Sequence, residues 1–340
     1  MSDIEHFGGP AEEWDGFVRQ APGWTHFHLI GWLRVIARVH GHECLPLAVR
    51  NDDGRLAGVL PLVRVKSRLF GHYLVSMPFV NYGGPLGSSA AVRALAAHAV
   101  ALAESGGARL LELRSRDPLP IDLAVSHRKI TVVLDLPVGG PEALFNSFKG
   151  KLRSQVRRPQ KEGVTVRFGS DQIAPFFAVF ARHMRDLGTP VQPRALFEAL
   201  AAEFGQDAWF GCAWLGNVPI ACGLGFRWGD EFEMTWASAL SAHNAISPNM
   251  ALYWAFMEKA AAEGLKVFNF GRCTPDSGTH RFKKQWGSRD VPLYWYQLAR
   301  GAAHTPSPDD GAFAWGPRIW KRLPLPIATA LGPRIVRFIP

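Results

Sequence analysis

No GxxxxGKS/T loop and no GxGxxG after a strand occurs in the chain, which disfavours nucleotide hydrolysis and dinucleotide redox chemistry. The GxSxG elbow of one hydrolase layout is missing as well. Cysteine is scarce. Cys44, Cys212, Cys222 and Cys273 make no CxxC pair, which argues against a zinc or redox motif and suits a reducing cytoplasm. No apolar run has the length of a membrane span; Ala94–Ala103 is about half of one. The opening Met1–His6 is acidic and has no apolar core of an export signal, so a cytoplasmic location is expected.

What is present is apolar and basic. With 340 residues, 47% of them hydrophobic, the chain can bury more than one core, and two domains are expected. The formal charge of +9 points to anionic partners: nucleic acid, phosphorylated small molecules or an acidic membrane face.

One plan occurs twice. Cys44–Val49 and Arg55–Val65 read as strands around an Asn-Asp-Asp-Gly54 turn. A helix over Ala90–Glu104, a glycine stop at 106–107 and a strand over Ala108–Arg114 follow. In the second half, Ala208–Trp214 and Val218–Trp228 flank Leu215-Gly-Asn217. A helix over Asn249–Ala262, a stop at Gly264 and a strand over Leu265–Gly271 complete the copy. Gly58 pairs with Gly223, Gly107 with Gly264 and Arg114 with Arg272; an offset of roughly 160 is too long for a solenoid and fits two related α/β domains in tandem. The expected division is 1–138, 139–300 and a Pro-rich basic and aromatic tail over 301–340. Within the tail, Gly301–Gly311 reads as a linker and 313–340 as a membrane-contacting segment or a packed strap. A helix is expected from Pro141 or Glu142 to about Arg157, ending in a turn at Pro159.

Two clusters carry candidate chemistry. Lys149, Lys151, Arg153, Arg157, Arg158 and Lys161 are a cationic run without an acid, and Lys149, Arg153 and Arg157 recur at helical spacing. Arginine suits bidentate phosphate binding, so Arg153, Arg157, Arg158 and Lys161 are candidate substrate-binding residues; a solvated basic face is the plainer alternative. The second cluster is Phe282-Lys283-Lys284, bracketed by Gly278 and Gly287, after the strand ending at Gly271-Arg272. A lysine there can meet a developing oxyanion in acyl transfer, although a surface lysine pair has the same residue types. His280 is a nearby candidate proton acceptor. His26-x-His28 and His40-x-His42 lack a partner ligand set, so no metal site is expected.

Trp32, Gly58-Val-Leu-Pro-Leu62, Met77-Pro-Phe79 with Tyr82-Gly-Gly-Pro85, Arg153-x-x-x-Arg157-Arg158-x-x-Lys161-x-Gly163-Val164, Phe268-Asn-Phe-Gly-Arg272 and Phe282-Lys-Lys-x-Trp-Gly287 together resemble the FemAB family. They are most similar to its members in exopolysaccharide and exosortase loci. The resemblance spans about Trp14 to Leu298 and implies mixed α/β sheets in two tandem GNAT-like domains. It implies an acyltransferase or aminoacyltransferase acting on an amine of a cell-envelope, peptidoglycan or exopolysaccharide precursor. It places Lys283, with Phe282 beside it, at the acyl-transfer site; Arg272 and Lys284 are further candidate substrate-binding residues beside it. Pro159 and Asn269 depart from the family pattern, Asn269 standing where aspartate is common. The inserted coiled-coil hairpin of some cell-wall members is missing, and so is the Q/R-x-x-G-x-G/A turn of ordinary acetyl-CoA-dependent acetyltransferases. No resident cofactor is implied. The donor stays open between aminoacyl-tRNA and acyl-CoA, and the expected partners are such anions or a nucleotide-linked precursor. Two other readings remain: a CoA-dependent N-acetyltransferase acting on a polysaccharide sugar, and a non-enzymatic adaptor on RNA or at the inner membrane.

Overall fold

The computed structural model describes residues 4–67, 70–299 and 315–339. The linker expected at Gly301–Gly311, and Phe313, lie outside the described residues. The chain divides into two compact units. The first holds Met1–Lys129, Pro292–Asp310 and Arg334–Pro340; the second holds Ile130–Val291 and Gly311–Pro333.

In chain order the first unit contains β1 (Ile4–His6), α1 (Ala11–Gln20), α2 (Ile30–His40), β2 (Glu43–Arg50), β3 (Leu56–Ser67), β4 (Gly71–Ser76), β5 (Leu86–Gly87), α3 (Ser89–Ser105), β6 (Leu110–Ser115) and β7 (Ala124–Ser126). The second contains β8 (Ile130–Asp135), α4 (Gly140–Ser147), α5 (Gly150–Lys161), β9 (Val164–Phe168), α6 (Ile173–Leu187), α7 (Arg194–Phe204), β10 (Ala208–Leu215), β11 (Val218–Trp228), β12 (Glu231–Ala239), α8 (Pro248–Ala262), β13 (Val267–Cys273), α9 (Gly278–Lys284) and β14 (Arg289–Pro292). β15 (Tyr294–Ala299), α10 (Trp315–Trp320) and α11 (Leu325–Val336) follow.

The sheets run β1-β2-β3-β4-β6-β15-β7, with β5 on β3, and β14-β8-β13-β12-β11-β10-β9. Two strands therefore cross the boundaries drawn from sequence. Ile130–Asp135, expected to close the first domain, pairs antiparallel with β13 in the second sheet. Tyr294–Ala299, expected in the second domain, lies between β6 and β7 of the first sheet. Strand membership is decided by hydrogen bonds to distant partners, which local pattern does not encode.

The repeated plan is present. Each unit has an antiparallel hairpin (β2–β3, β10–β11), a third strand (β4, β12), a helix (α3, α8) and a strand parallel to the third (β6, β13). Local chemistry sets the turns. Gly54 and Gly216 take the left-handed backbone the hairpin turns need. The Ser88 hydroxyl caps α3 by accepting from Ala91 N–H. α3 buries Leu95, Ala96, Ala99 and Ala103 against Leu60, Leu62 and Leu74. α8 buries Met250, Phe256, Met257 and Ala260 against Phe232 and Phe268.

The helix expected over Pro141–Arg157 is two helices. Phe148 and Lys149 are extended and separate α4 from α5. α5 then continues through Pro159 to Lys161, so the turn expected at Pro159 does not form there. Pro159 stands in the last turn, buried with Leu152 and Val156; it cannot donate the helical bond to Gln155 O, and its burial with these apolar neighbours offsets that loss.

The parallel pairs β4–β6 and β12–β13 each span three residues. In the first unit the last pair is Val75↔Glu112. Beyond it the chain's own loop is tied to β6 by Arg114, which is buried. Its guanidinium bonds Glu112 (Nε–Oε1 2.7 Å) and donates to Val80 O (2.9 Å) and Met77 O (3.4 Å). It also lies 4.5 Å from the Trp295 ring centroid, and Gln297 donates to the second Glu112 oxygen (2.6 Å). Met77 and Phe79 hold positive φ, a strained state that persists only where surroundings impose it. Arg114→Met should cost about 3–5 kcal/mol of stability, because Glu112 would be left buried without its partner. Urea unfolding read by tryptophan fluorescence measures this; wild-type stability would show that the ion pair does not hold the loop.

Candidate functional site

In the second unit the parallel pairing runs Glu231↔Val267, Phe232↔Phe268 and Glu233↔Asn269, then stops. β12 stays paired to β11 as far as Ala239, with a bulge between Leu224 and Gly225. From Met234 to Ala239 it has no strand on its β13 side among the described residues. β13 turns instead toward β8, with a register shift between Asn269 and Arg272 and Gly271 at φ 71°. The two strands thus open a V whose vertex is the Glu233–Asn269 pair.

Asn269 is fully buried at that vertex and its amide is saturated. The Oδ1 atom accepts from Thr131 Oγ1 (2.6 Å) and from Gly271 N–H (2.8 Å). The Nδ2 group donates to Glu231 Oε1 (2.8 Å) and Glu233 Oε2 (3.2 Å). Both lone pairs and both N–H bonds are used, which fixes the orientation of the amide. An aspartate here would have no donor for the two carboxylates. Sequence reasoning missed this network. Its signal was two glutamates at i, i+2 in an otherwise apolar strand, Glu231-Phe-Glu233-Met.

Lys283 is 3% exposed. α9 is short and capped by Ser277, whose hydroxyl accepts from His280 N–H. It directs the ammonium inward, where Nζ donates to Gly271 O (2.6 Å) and Arg272 O (2.9 Å). The Ser288 hydroxyl in turn donates to Lys283 O (2.9 Å). Burial lowers the lysine's pKa from 10.5 to about 8, against the favourable charges of Cys273 and Glu233. The ammonium expected to face an oxyanion therefore sits on two backbone carbonyls at the β13 bulge. Because the peptide is planar and trans, the N–H groups of Arg272 and Cys273 point away from the lysine.

Phe282 packs edge-on against Tyr253 (5.0 Å) and lies 6.4 Å from Trp286. Arg272 is half-buried at the end of β13, and Lys284 is exposed and paired with Asp290 (3.2 Å). His280 accepts from Asp276 N–H at Nδ1 (3.0 Å), so its proton is on Nε2, which faces Asp290 (3.1 Å). That arrangement leaves no lone pair for accepting a substrate proton.

The basic helix starts near this cluster, since Phe148, one residue before Lys149, packs on Trp286 (5.6 Å) and Trp254 (6.0 Å). It does not converge on one point. Lys149 and Lys161 are separated by about 18 Å along the helix axis. Arg153 donates to Asn146 O (3.4 Å) and Arg157 lies over the Phe145 ring (4.9 Å), so both lean on α4. Lys151, Arg158 and Lys161 are exposed. A groove of about 410 Å³ between β9 and α8 is lined by none of the expected site residues.

The paired histidines of the first unit serve packing. Trp32 Nε1 donates to His26 Nδ1 (3.0 Å), and burial lowers the His26 pKa to about 3. His28 Nδ1 accepts from Thr25 N–H (3.0 Å), and burial lowers its pKa to about 4. Among the described residues no group of side chains is arranged to hold a metal ion.

Residues 146–284 match the family model described as an acetyltransferase (GNAT) domain. No curated protein matches the chain. Among solved structures the fold is similar to that of FemX (16% identity over 87% of this chain and 97% of that one, TM-score 0.64). It is also similar to the C-terminal domain of a putative lysylphosphatidylglycerol synthetase from Agrobacterium fabrum (12% identity, 86% and 92% covered, TM-score 0.55). A third likeness is a tandem GNAT protein from the clavulanic acid biosynthesis pathway (14% identity, 89% and 100% covered, TM-score 0.54). At these identities the likeness is one of fold: two GNAT-like domains in one chain.

Asn269→Asp should destabilise the second unit by about 2–4 kcal/mol at neutral pH, because it buries a third carboxylate beside two others. Like charges raise the new carboxyl's pKa, so the deficit relative to wild type should shrink as pH falls toward 5. Denaturation of both proteins across pH tests this; a deficit independent of pH would locate the damage in packing.

Proposed function

We propose that the chain is an acyltransferase or aminoacyltransferase that works in the V of the second unit and moves an acyl group from an activated ester or thioester to an amine. The observation supporting this most directly is the parting of β12 and β13 within the segment that matches the GNAT model. A strand edge without a strand partner among the described residues suits an extended substrate segment that carries amide groups. The amine attacks the donor carbonyl, the new C–N bond forms, and a tetrahedral oxyanion develops. The C–O or C–S bond then breaks, and the amine's proton leaves with the departing oxygen or sulfur. Lys283 holds the Gly271 and Arg272 carbonyls and keeps a positive charge at the bulge for the oxyanion. Proximity contributes much of the rate. The proposed acceptor is an amine of a cell-envelope or exopolysaccharide precursor, which rests on the FemAB resemblance and the likeness to FemX. The alternative is CoA-dependent N-acetylation of a sugar.

Arg153, Arg157, Arg158 and Lys161 are proposed to hold the donor's phosphates, with Arg272 and Lys284 nearer the reacting end. From Arg153 to Lys161 the stripe is about 12 Å long, longer than one pyrophosphate, which favours aminoacyl-tRNA over acyl-CoA as the donor. Mass spectrometry of ligand retained on purified protein separates these: RNA supports this choice, and coenzyme A overturns it in favour of the alternative.

Lys283→Ala should lower kcat by about a hundredfold or more with the fold retained; unchanged turnover would sink the role. Turnover should also fall as pH rises through about 8, where Lys283 loses its charge. The stability effect runs the other way. The unfolded chain keeps this proton up to about pH 10.5, so wild type should gain stability relative to Lys283→Met between pH 8 and 10.5.

A further inference from the structure

α11 is built inside out. Its inward positions are Ala328 and Gly332, with Val336 buried at its end, and a Cβ on Gly332 would meet Val191 N at 2.8 Å, so the helix can approach the body only because that position is glycine. Its outward positions carry the large aliphatics: Ile327 is 46% exposed and Leu331, one turn on, 40%. α10 adds Ile319, 54% exposed, and the end of α6 adds Leu187, 52% exposed. These segments meet. Pro317 lies against Gly188, and Arg185 Nη1 donates to Leu323 O (2.9 Å). Of the exposed large hydrophobics among the described residues, only Val125, Val138 and Val218 lie elsewhere. The charges here have one sign. Arg318, Lys321 and Arg322 are exposed, and no Asp or Glu occurs from residue 311 to 340. Asp186, at the end of α6, is paired with Arg185 (2.6 Å).

We propose that this face of the second unit, Leu187 with Ile319, Ile327, Leu331 and the cations Arg318, Lys321 and Arg322, docks on an anionic lipid bilayer. Exposed aliphatics beside exposed cations fit the boundary where acyl chains meet anionic headgroups. A nucleic acid would satisfy the cations and leave the aliphatics in water. A symmetric contact with a second copy would set the three cations against their own images. The contact is peripheral, since no helix among the described residues is long and apolar enough to cross a membrane.

The test uses the full chain and sedimentation with vesicles of phosphatidylcholine alone or mixed with phosphatidylglycerol. Wild type should partition about a hundredfold more strongly onto the anionic vesicles, and high salt should weaken that binding. The double variant Ile327→Glu/Leu331→Glu should lose at least about tenfold of the binding while its melting temperature is unchanged. Equal binding by the variant, or no binding by wild type, overturns the proposal. So does a wild-type dimer that the same substitutions dissociate, because the face would then belong to a contact between copies. The readout is binding rather than turnover, so this proposal stands or falls apart from the acyl-transfer reading.

Discussion

Three residues of parallel pairing, and one amide that ends them, set the rest of the second unit. β12 and β13 share a ladder only from Glu231 to Glu233, and Asn269 closes it by binding both glutamates, Thr131 of β8 and the Gly271 amide. A buried amide with all four hydrogen-bonding positions filled is stiff, because any rotation leaves a donor or acceptor unpaired at a cost of about 1–3 kcal/mol. The bond to Gly271 N–H fixes where the bulge begins. The bulge in turn presents two carbonyls to Lys283. Cleft, bulge and buried lysine are therefore consecutive consequences of one side chain.

The first unit has the same three-residue ladder and uses it differently. By register Glu112 corresponds to Asn269, and two residues on, Arg114 corresponds to Gly271. That refines the sequence pairing of Arg114 with Arg272. Where the second unit has no side chain, the first has a guanidinium that gathers the loop carbonyls of Met77 and Val80. The first opening is closed by the protein's own backbone and held by an ion pair that is expensive to leave incomplete. The second is left with a strand edge. The duplicated fold thus leaves the V open in the second unit and fills it in the first, for a reason visible at a single aligned position.

Much of this was legible in the sequence. Hairpin turns, glycine stops and the helix–strand order come from local rules, and the elements stand where those rules put them. Pairings set by distance did not. Nothing local tells Ile130–Asp135 that its partner is β13, or Tyr294–Ala299 that it belongs beside β6. The break at Phe148 was hidden for a related reason: its ring is held by Trp254 and Trp286, more than a hundred residues away in the chain. At the site, the Phe-Lys pair and the basic run could be read as residue types. Their directions could not, because burial of Lys283 depends on carbonyls turned by a bulge that depends on Asn269.

The buried lysine also answers why an ionisable group is used where an apolar one would pack at lower cost. Two carbonyls converge on Nζ, and a neutral amine still has the two N–H bonds they require. The third proton is therefore not needed for structure. Its retention is marginal, since burial has brought the pKa down to about 8. A charge kept at some cost in stability contributes little to the resting fold. In the proposed reaction it would meet the negative charge of the oxyanion with water excluded. A methionine of similar length would fill the space and leave both carbonyls unbonded, while a solvated surface lysine would keep its charge and fix nothing. Only a buried lysine both holds the bulge and holds a proton in reserve.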